Sequence, residues 1–172
     1  GGSNPLTGLA AGAGGQLYYS AGTNRVLKNE PGAQSSTTIA GLGQWGYSGD
    51  GGPATQAMLA EPKRMEIATA GSLYFAEYDS SSIRKVDTSG VITTVAGGPG
   101  AGFPNMNDVA VDTAGNTYIL TSSSILRVDA QSGIITTLAY REYGAHAPLG
   151  DNGPAILAGL GAKAIAVDSD GN

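Results

Sequence analysis

The chain has 172 residues, of which 28 are glycine, and only 13% of its residues are charged, with a net charge of −5. This acidic balance argues against nucleic-acid binding, because neutralising phosphates requires clustered Lys and Arg. The absence of cysteine excludes disulfides, zinc–thiolate sites and cysteine nucleophiles, and no apolar run reaches the roughly 18 residues of a membrane span. Short apolar segments between Gly, Ser and Thr predict many short strands joined by tight turns.

Two sequence blocks recur along the chain. The first combines an apolar strand, a Gly turn and a strand that carries Tyr, and it occurs at 9–18, 65–74, 109–118 and, in part, 165–172. The second places Thr-Thr before an apolar pair, and it occurs at 36–41, 92–97 and 135–139. A strand with basic residues lies between the two blocks, at 24–28, 83–87 and 125–129. Spacings of 56, 44 and 56 residues separate the turn glycines Gly15, Gly71, Gly115 and Gly171.

Four strand-like pieces per repeat at this spacing predict an all-β fold, a β-propeller of four-stranded antiparallel blades. We expect residues 1–172 to form a single partial propeller. Three complete blades are predicted at about 5–43, 63–98 and 105–140, and the inner strand of a fourth blade at 163–172. Residues 1–5 align with the exit of an outer strand, so parts of two flanking blades are expected beside the three complete ones.

The second blade carries motifs in an order that is typical of a known family. Ser-Gly-Asp-Gly-Gly-Pro-Ala-Thr at 48–55 is followed by Leu59 and Pro62, then by Ile-Arg-Lys-Val-Asp at 83–87 and Val-Ile-Thr-Thr-Val-Ala-Gly at 91–97. This string resembles the extended NHL repeat of bacterial secreted or surface proteins and is similar to the propeller of teneurin-type surface proteins. The resemblance implies a propeller, commonly six-bladed, in an extracellular or cell-surface location. Of the turn Asn residues that name the family, this chain keeps only Asn24.

Three blades are only part of such a ring, and a propeller protects its strand edges by closing the ring. Two alternatives are open: the sequence is a piece of a longer chain, or a second copy completes the ring. The first is favoured, because the extra inner strand at 163–172 would compete with residues 6–11 of a second copy. In both alternatives, the predicted partners include further blades.

Antiparallel blades place the connection between strands two and three at the same end as the connection to the next blade. The long connections 42–63 and 140–163 are expected at this end, and Pro53 suits the start of a short helix within the first of them. Long ordered loops on a rigid scaffold commonly carry function, which predicts binding of a protein or a glycan here. The candidate ligand-binding residues are Trp45, Tyr47, Asp50, Tyr143, His146 and Asp151.

Each candidate also has a purely structural interpretation. Asp50 and Asp151 occupy the same place in two loops, where a carboxylate either binds a ligand or shapes the turn through backbone N–H groups. Glycines fill the places where a calcium loop has oxygen ligands, so no metal is predicted. Four aromatic residues either form a surface for a sugar or a partner protein or cap the core beneath the loops: Trp45, Tyr47, Tyr140 and Tyr143. His146 is the only histidine and builds neither a metal site nor an acid–base pair alone, so no catalytic residue and no cofactor are predicted.

The leading functional interpretation is a non-catalytic propeller that serves as an extracellular interaction platform for protein or carbohydrate. One alternative is a structural subunit of a surface layer or filament, which low charge and an open strand edge would permit. Another alternative is a lyase or hydrolase whose catalytic residues lie mostly in blades outside this sequence.

Overall fold

The computed structural model describes residues 6–103, 105–140 and 162–168. This part of the chain forms twelve β-strands and one 3₁₀ turn, and it contains no helix long and apolar enough to cross a membrane. Three of the predicted site residues, Tyr143, His146 and Asp151, lie outside the described residues. The same holds for residues 1–5 and 169–172, on which the two flanking blades were predicted.

The strands form three antiparallel sheets of four, and in each sheet the spatial order follows the sequence order. Blade 1 contains β1 (Gly8–Ala11), β2 (Leu17–Ser20), β3 (Val26–Asn29) and β4 (Thr37–Ala40). Blade 2 contains β5 (Pro62–Ile67), β6 (Leu73–Glu77), β7 (Ser82–Val86) and β8 (Ile92–Gly97). Blade 3 contains β9 (Met106–Val111), β10 (Thr117–Thr121), β11 (Ser124–Val128) and β12 (Ile135–Tyr140). The predicted all-β propeller architecture with three complete blades is confirmed.

The same irregularity marks the outer edge of each blade. The register between the third and fourth strands shifts at Val26/Leu27 in blade 1, at Ile83/Arg84 in blade 2 and at Ile125/Leu126 in blade 3. A bulge of this kind adds one residue to one strand and increases the local right-handed twist. The repeat in the sequence is therefore also a repeat in backbone geometry.

The hydrophobic core lies between the blades. One buried cluster joins Val26 and Ala40 of blade 1 to Phe75 and Ile92 of blade 2, and a second cluster joins blade 2 to blade 3. All five residues of β6 are buried, because this strand belongs to the blade that is covered on both faces. Blades thus stabilise one another by packing face to face, as in two stacked sheets.

The predicted fourth inner strand falls partly within the described residues. Residues 162–168 form no strand pairing there, and the backbone N–H of Ile165 donates to the Asp108 carboxylate of β9 at 3.0 Å. The fourth blade stays a prediction.

Aspartates close the turns at the ends of the blades, as the Asp-x-x-Gly steps predict. In the β11–β12 turn, Asp129 accepts from the backbone N–H groups of Gln131 and Ser132 and from the Ser132 hydroxyl, at 3.2, 3.0 and 2.9 Å. Asp87 plays the same part in the β7–β8 turn, with the Ser89 hydroxyl at 2.6 Å. These donors favour the charged carboxylate, and those from Ser132 and Gln131 lower the pKa of Asp129 from 3.8 to about 2.

We expect Asp129→Asn to flatten the acid limb of the stability profile. Because the folded-state pKa of Asp129 lies below its ordinary value, its ionised form stabilises the fold above about pH 4, and this contribution is lost as the pH falls toward about 2. Thermal melts of both proteins between pH 7 and pH 2 test this. Ser132→Ala removes one donor but leaves the carboxylate, so its effect is expected to be intermediate. Identical pH profiles for Asp129→Asn and the unchanged chain would contradict the expectation.

Candidate interaction face

Connections from all three blades meet at one end of the strands. The backbone N–H of Tyr78, in the β6–β7 turn, donates to the carbonyl of Glu61 at 3.3 Å, just before β5. In blade 3, the N–H of Ser122 donates to the carbonyl of Asn105 at 3.1 Å. We call this end the loop face, and it comprises residues 21–25, 41–48, 58–61, 78–81, 98–105 without the undescribed position 104, and 122–123.

The connection between blades 1 and 2 leaves the loop face in its middle part. The backbone N–H groups of Gly51 and Ala54 donate to the carbonyls of Ile92 and Gly90, both at 2.8 Å, and Ile92 donates back to Gly52 at 3.0 Å. These partners lie at the β7–β8 turn, at the other end of blade 2. The expectation that the whole connection 42–63 lies on the loop face is therefore wrong for residues 51–54. The physical reason is that the outer edge of β8 has unpaired backbone groups, which the connection satisfies.

The predicted helix in this connection is a single 3₁₀ turn, Ala54–Gln56, with Pro53 at its N-cap. Ala54 is buried, and its carbonyl accepts from the N–H of Gly41 at the end of blade 1. Together with the contacts to β8, this turn closes the gap between the outer parts of blades 1 and 2. It acts as a structural spacer, which leaves the two ends of the connection to form the exposed surface.

The Trp45 side chain is held by a hydrogen bond at one edge of its indole ring, while most of the residue is exposed to solvent. Its indole Nε1 donates to Asp79 Oδ2 at 2.9 Å, and its backbone pairs with Leu59, yet 64% of the residue remains accessible to solvent. Of the two interpretations given by the sequence, exposure of this size excludes a core cap for Trp45. A fixed, exposed indole is the type of side chain that dominates protein interfaces.

Tyr78 lies in the same β6–β7 turn as Asp79 and was not predicted as a site residue. It precedes Asp79, the hydrogen-bond partner of Trp45, and its own side chain is partly exposed. Lys63 Nζ lies 4.0 Å from the centre of its ring, and Asn105 Nδ2 donates to its hydroxyl at 3.0 Å. One feature of the sequence indicated a role for Tyr78. It lies in the turn between the second and third strands, where residues 76–80 differ from the Asn-containing turn that is usual in the family.

Tyr47 faces inward and packs against a cation. The Arg84 guanidinium lies 4.8 Å from the centre of the Tyr47 ring, and the Tyr47 hydroxyl is 2.7 Å from the Thr94 hydroxyl. Asp50 lies beside them: its Oδ1 accepts from Arg84 Nη2 at 2.8 Å, and its Oδ2 accepts from the backbone N–H of Thr94 at 3.1 Å. Both residues thus attach the connection to blade 2, although the Asp50 side chain is still 47% exposed.

A buried ion pair supports this attachment. Arg84 and Glu77 are both 0% exposed, and Arg84 Nη1 donates to Glu77 Oε2 at 3.1 Å. The same Glu77 oxygen accepts from Ser82 at 2.9 Å, while its other oxygen accepts from the N–H of Ala60 at 3.0 Å. Arg84 Nη2 also donates to the carbonyl of Ser48 at 2.9 Å. One buried network therefore fixes both ends of the connection that carries Trp45.

The described residues contain no group of three or more His, Cys, Asp or Glu side chains that could hold a metal ion. Asp108 is occupied by backbone donors, Val109 N–H at 3.0 Å and Ile165 N–H at 3.0 Å. The site that the structure brings together is a set of fixed aromatic and polar side chains.

Residues 43–105 match the family described as the Teneurin NHL domain. The match covers 63 of the 172 residues, a segment that consists of blade 2 and the connections on either side of it. The predicted resemblance is confirmed, and the segment contains Trp45, Tyr47, Asp50, Tyr78 and the ion pair below them.

The curated relatives of this chain include teneurins of animals. Teneurin-3 of Mus musculus is 38% identical over 96 residues, which is 48% of this chain and 4% of that protein. Teneurin-1 of Gallus gallus is 43% identical over 54 residues, which is 31% of this chain and 2% of that protein. The chain thus spans only a few per cent of the length of these relatives. A bacterial source stays a prediction.

Solved structures similar to this chain share its fold at low sequence identity. A gluconolactonase from Xanthomonas campestris superposes with a TM-score of 0.66 at 13% identity, over 96% of this chain and 54% of that one. A chain of a nidogen/laminin complex gives 0.60 at 14% identity, over 83% and 51%. Virginiamycin B lyase from Staphylococcus aureus gives 0.60 at 13% identity, over 81% and 43%. Since these proteins differ in activity, the likeness concerns the fold alone.

Proposed function

We propose that this chain is a non-catalytic part of an extracellular or cell-surface propeller that binds a partner protein through its loop face. The observation that carries the proposal is Trp45, which is 64% exposed although a hydrogen bond of 2.9 Å holds its ring. A tryptophan ring that is already held in place loses little conformational entropy when a partner covers it, and tryptophan is enriched among the residues that dominate binding energy. The match to the Teneurin NHL domain supports a surface-protein context.

A protein partner is favoured over a glycan by the state of the second aromatic ring. Sugar rings bind by stacking on free aromatic faces, but one face of Tyr78 is covered by Lys63 at 4.0 Å. A chain of a nidogen/laminin complex shares this fold, which supports the idea that the fold can present protein-binding surfaces. Glycan binding stays the alternative that the experiment below distinguishes.

Further blades are the second proposed partner, supplied by the same chain or by a second copy. Ile134, Ile135, Leu138 and Tyr140 on and beside β12 are exposed apolar residues. The corresponding faces of blades 1 and 2 are covered by the next blade. A neighbouring blade packed on β12 would bury this surface in the same way.

Trp45→Ala is expected to weaken partner binding at least 30-fold, because removing a central tryptophan typically costs about 2 kcal/mol or more. Biolayer interferometry of the full chain against panels of extracellular proteins and of glycans gives the measurement. Because Trp45 is exposed, its replacement should leave the melting temperature almost unchanged.

Leu17→Ala is the matched control for this experiment. Leu17 is also an exposed apolar residue, at 46%, but it begins β2 at the opposite end of the strands, so its replacement should leave the affinity unchanged. Binding of a protein that is equally strong in Trp45→Ala and the unchanged chain would overturn the proposed surface. Binding of glycans alone would replace protein by carbohydrate as the ligand class.

A further inference from the structure

A pocket of about 400 Å³ opens on the loop face, where the inner strands begin. The residue before β1, the start of β5, the start of β9 and the segment 162–168 all contribute to it. These segments come together because inner strands surround the axis of a propeller, and each enters from the loop face. The side chains that line it include Thr7, Lys63, Arg64, Tyr78, Asn107 and Lys163.

The pocket is basic, although the chain as a whole has a net charge of −5. Lys63, Arg64 and Lys163 line it. Of these three, only Lys63 has an ion-pair partner within the described part of the chain, Glu61 at 3.2 Å. Arg64 and Lys163 are both exposed side chains. Two positive charges therefore face the pocket without a carboxylate to neutralise them in the described part of the chain.

Two carboxylates of the inner strands lie outside the lining of the pocket. Asp108 accepts from the backbone N–H groups of Val109 and Ile165, and burial together with Asp108 raises the pKa of Glu66 on β5. Neither residue lies among those that line the pocket. Of the described residues that do line it, the charged ones are the three cations.

The neutral polar groups of the pocket are already occupied. The Thr7 hydroxyl is 2.9 Å from the Ser20 hydroxyl and 3.2 Å from the carbonyl of Pro62. The Tyr78 hydroxyl accepts from Asn105, and Lys63 covers its ring. The groups still able to bind a ligand are the cations Arg64 and Lys163 and the Asn107 amide. This set favours a small anionic group over a sugar ring, which would need partners for many hydroxyls.

We propose that this pocket binds a carboxylate side chain from an acidic peptide segment of the partner, with Arg64 and Lys163 as its cationic contacts. Arg presents a planar fork of donors that matches a carboxylate, and Trp45 supplies the apolar contact nearby on the same face. The proposal rests on the proposed function in taking the ligand to be a protein. The described residues that line the pocket include three cations, which are too few to hold a nucleic-acid backbone.

A fluorescein-labelled peptide of six glutamates is the probe, titrated against the full chain at low salt by fluorescence anisotropy. Trp45 is the only tryptophan, so its emission provides a second signal from the same face. We expect saturable binding that weakens as salt is added. Hexaglutamine, which has the same length and no charge, is expected not to bind.

The double variant Arg64→Gln with Lys163→Gln should weaken hexaglutamate binding about tenfold or more, since charge-assisted hydrogen bonds are stronger than neutral ones. The control Lys28→Gln with Lys85→Gln changes the net charge equally, but at strands β3 and β7 toward the other end, where these lysines lie near Tyr18 and Tyr74. It should bind the probe as the unchanged chain does. All four residues are at the surface or partly exposed, so thermal melts should show folded variants throughout.

Equal weakening by the control pair would overturn the site, because binding would then reflect net charge alone. Stronger binding of trigalacturonate than of hexaglutamate would assign the pocket to an acidic glycan. Displacement of the probe by inorganic phosphate at concentrations below the Kd of hexaglutamate would assign it to a phosphate group. Either result would overturn the peptide proposal. The proposed function fails separately, if Trp45→Ala leaves a partner's affinity unchanged while hexaglutamate still binds through Arg64 and Lys163.

Discussion

Replacing Arg84 by leucine is expected to lower the free energy of unfolding by about 3–5 kcal/mol, the cost of breaking a buried ion pair from one side. Arg84 and Glu77 are both 0% exposed. Without the guanidinium, the Glu77 carboxylate stays buried with hydroxyl and N–H donors but no cation. Urea denaturation followed by circular dichroism measures the loss.

Leucine is a suitable replacement because blades 1 and 3 already have it. Arg84 pairs with Thr94 of the outer strand, whereas the equivalent pairs are Leu27 with Thr38 and Leu126 with Thr137. The side chain therefore fits the backbone position, and the expected loss reflects charge rather than shape. Adding Glu77→Thr, which reproduces Thr121 of blade 3, should restore at least half of the lost stability, because a buried pair exchanged as a whole costs much less than a broken one.

A local signal should accompany the global loss. Arg84 holds the carbonyl of Ser48 at 2.9 Å and the carboxylate of Asp50 at 2.8 Å. In Arg84→Leu, amide hydrogen exchange at 47–50 should therefore rise above the increase caused by lower overall stability. This links the buried pair to the proposed binding surface, because the same connection carries Trp45.

Arg127→Leu is the control for this prediction. Arg127 pairs with Asp129 at 3.1 Å, but the two side chains are 30% and 32% exposed, and exposed ion pairs contribute about 1 kcal/mol or less. If Arg84→Leu destabilises the chain no more than Arg127→Leu does, the ion pair is not what holds the connection.

The architecture was predictable from the sequence because its signals are local. The Asp-x-x-Gly turns and the repeated strand blocks depend on residues within a few positions of each other. Asp129, for example, meets its donors within three residues of itself. Such signals gave the all-β class, the three blades and the likeness to NHL repeats.

The candidate site was predictable only in part, because its geometry depends on distant contacts. Asp50 reaches Arg84, 34 residues further on, and Trp45 reaches Asp79 over the same distance along the chain. Arg84 looked like one of several basic residues in a repeated strand, and nothing local distinguishes its buried position from that of the exposed Arg127. The one signal of burial was that Leu27 and Leu126 occupy the equivalent positions in the other two blades. These positions can be aligned only when the pairing register of the strands is known.

Gly97→Ala is expected to destabilise the chain on the order of 3 kcal/mol or more. Gly97 has a φ of +78°, and an added Cβ would lie 2.0 Å from the carbonyl oxygen of Ser81 and 2.7 Å from Met106 Cε. A left-handed backbone costs an L-residue about 1–2 kcal/mol, and overpacking commonly adds about 1–3 kcal/mol. The clash is with backbone in a tight turn, so a change of rotamer cannot relieve it.

Gly100→Ala separates these two effects. Gly100 has nearly the same φ, +82°, but an added Cβ there meets nothing within 4 Å. It should therefore lose only the conformational part, about 1–2 kcal/mol, and the difference between the two variants in urea denaturation measures the steric part. Equal losses would mean that the turn around Ser81 yields easily.

Gly97 ends the outer strand of blade 2, and its close approach to the β6–β7 turn also affects the surroundings of Trp45. Gly41 ends the equivalent strand of blade 1, with a φ of +86° and a Cβ position 2.2 Å from the carbonyl of Asn24. In blade 3 the equivalent position is Tyr140, which pairs with Ser124 as Gly97 pairs with Ser82 and is not among the described residues with positive φ. In blades 1 and 2, the connection that leaves the outer strand therefore runs close to the turn between the second and third strands of the same blade. In blade 2 this turn also contains Asp79, which holds Trp45. In Gly97→Ala, displacement of the 78–81 turn should therefore also change the emission of Trp45, whereas Gly100→Ala should leave it as it is.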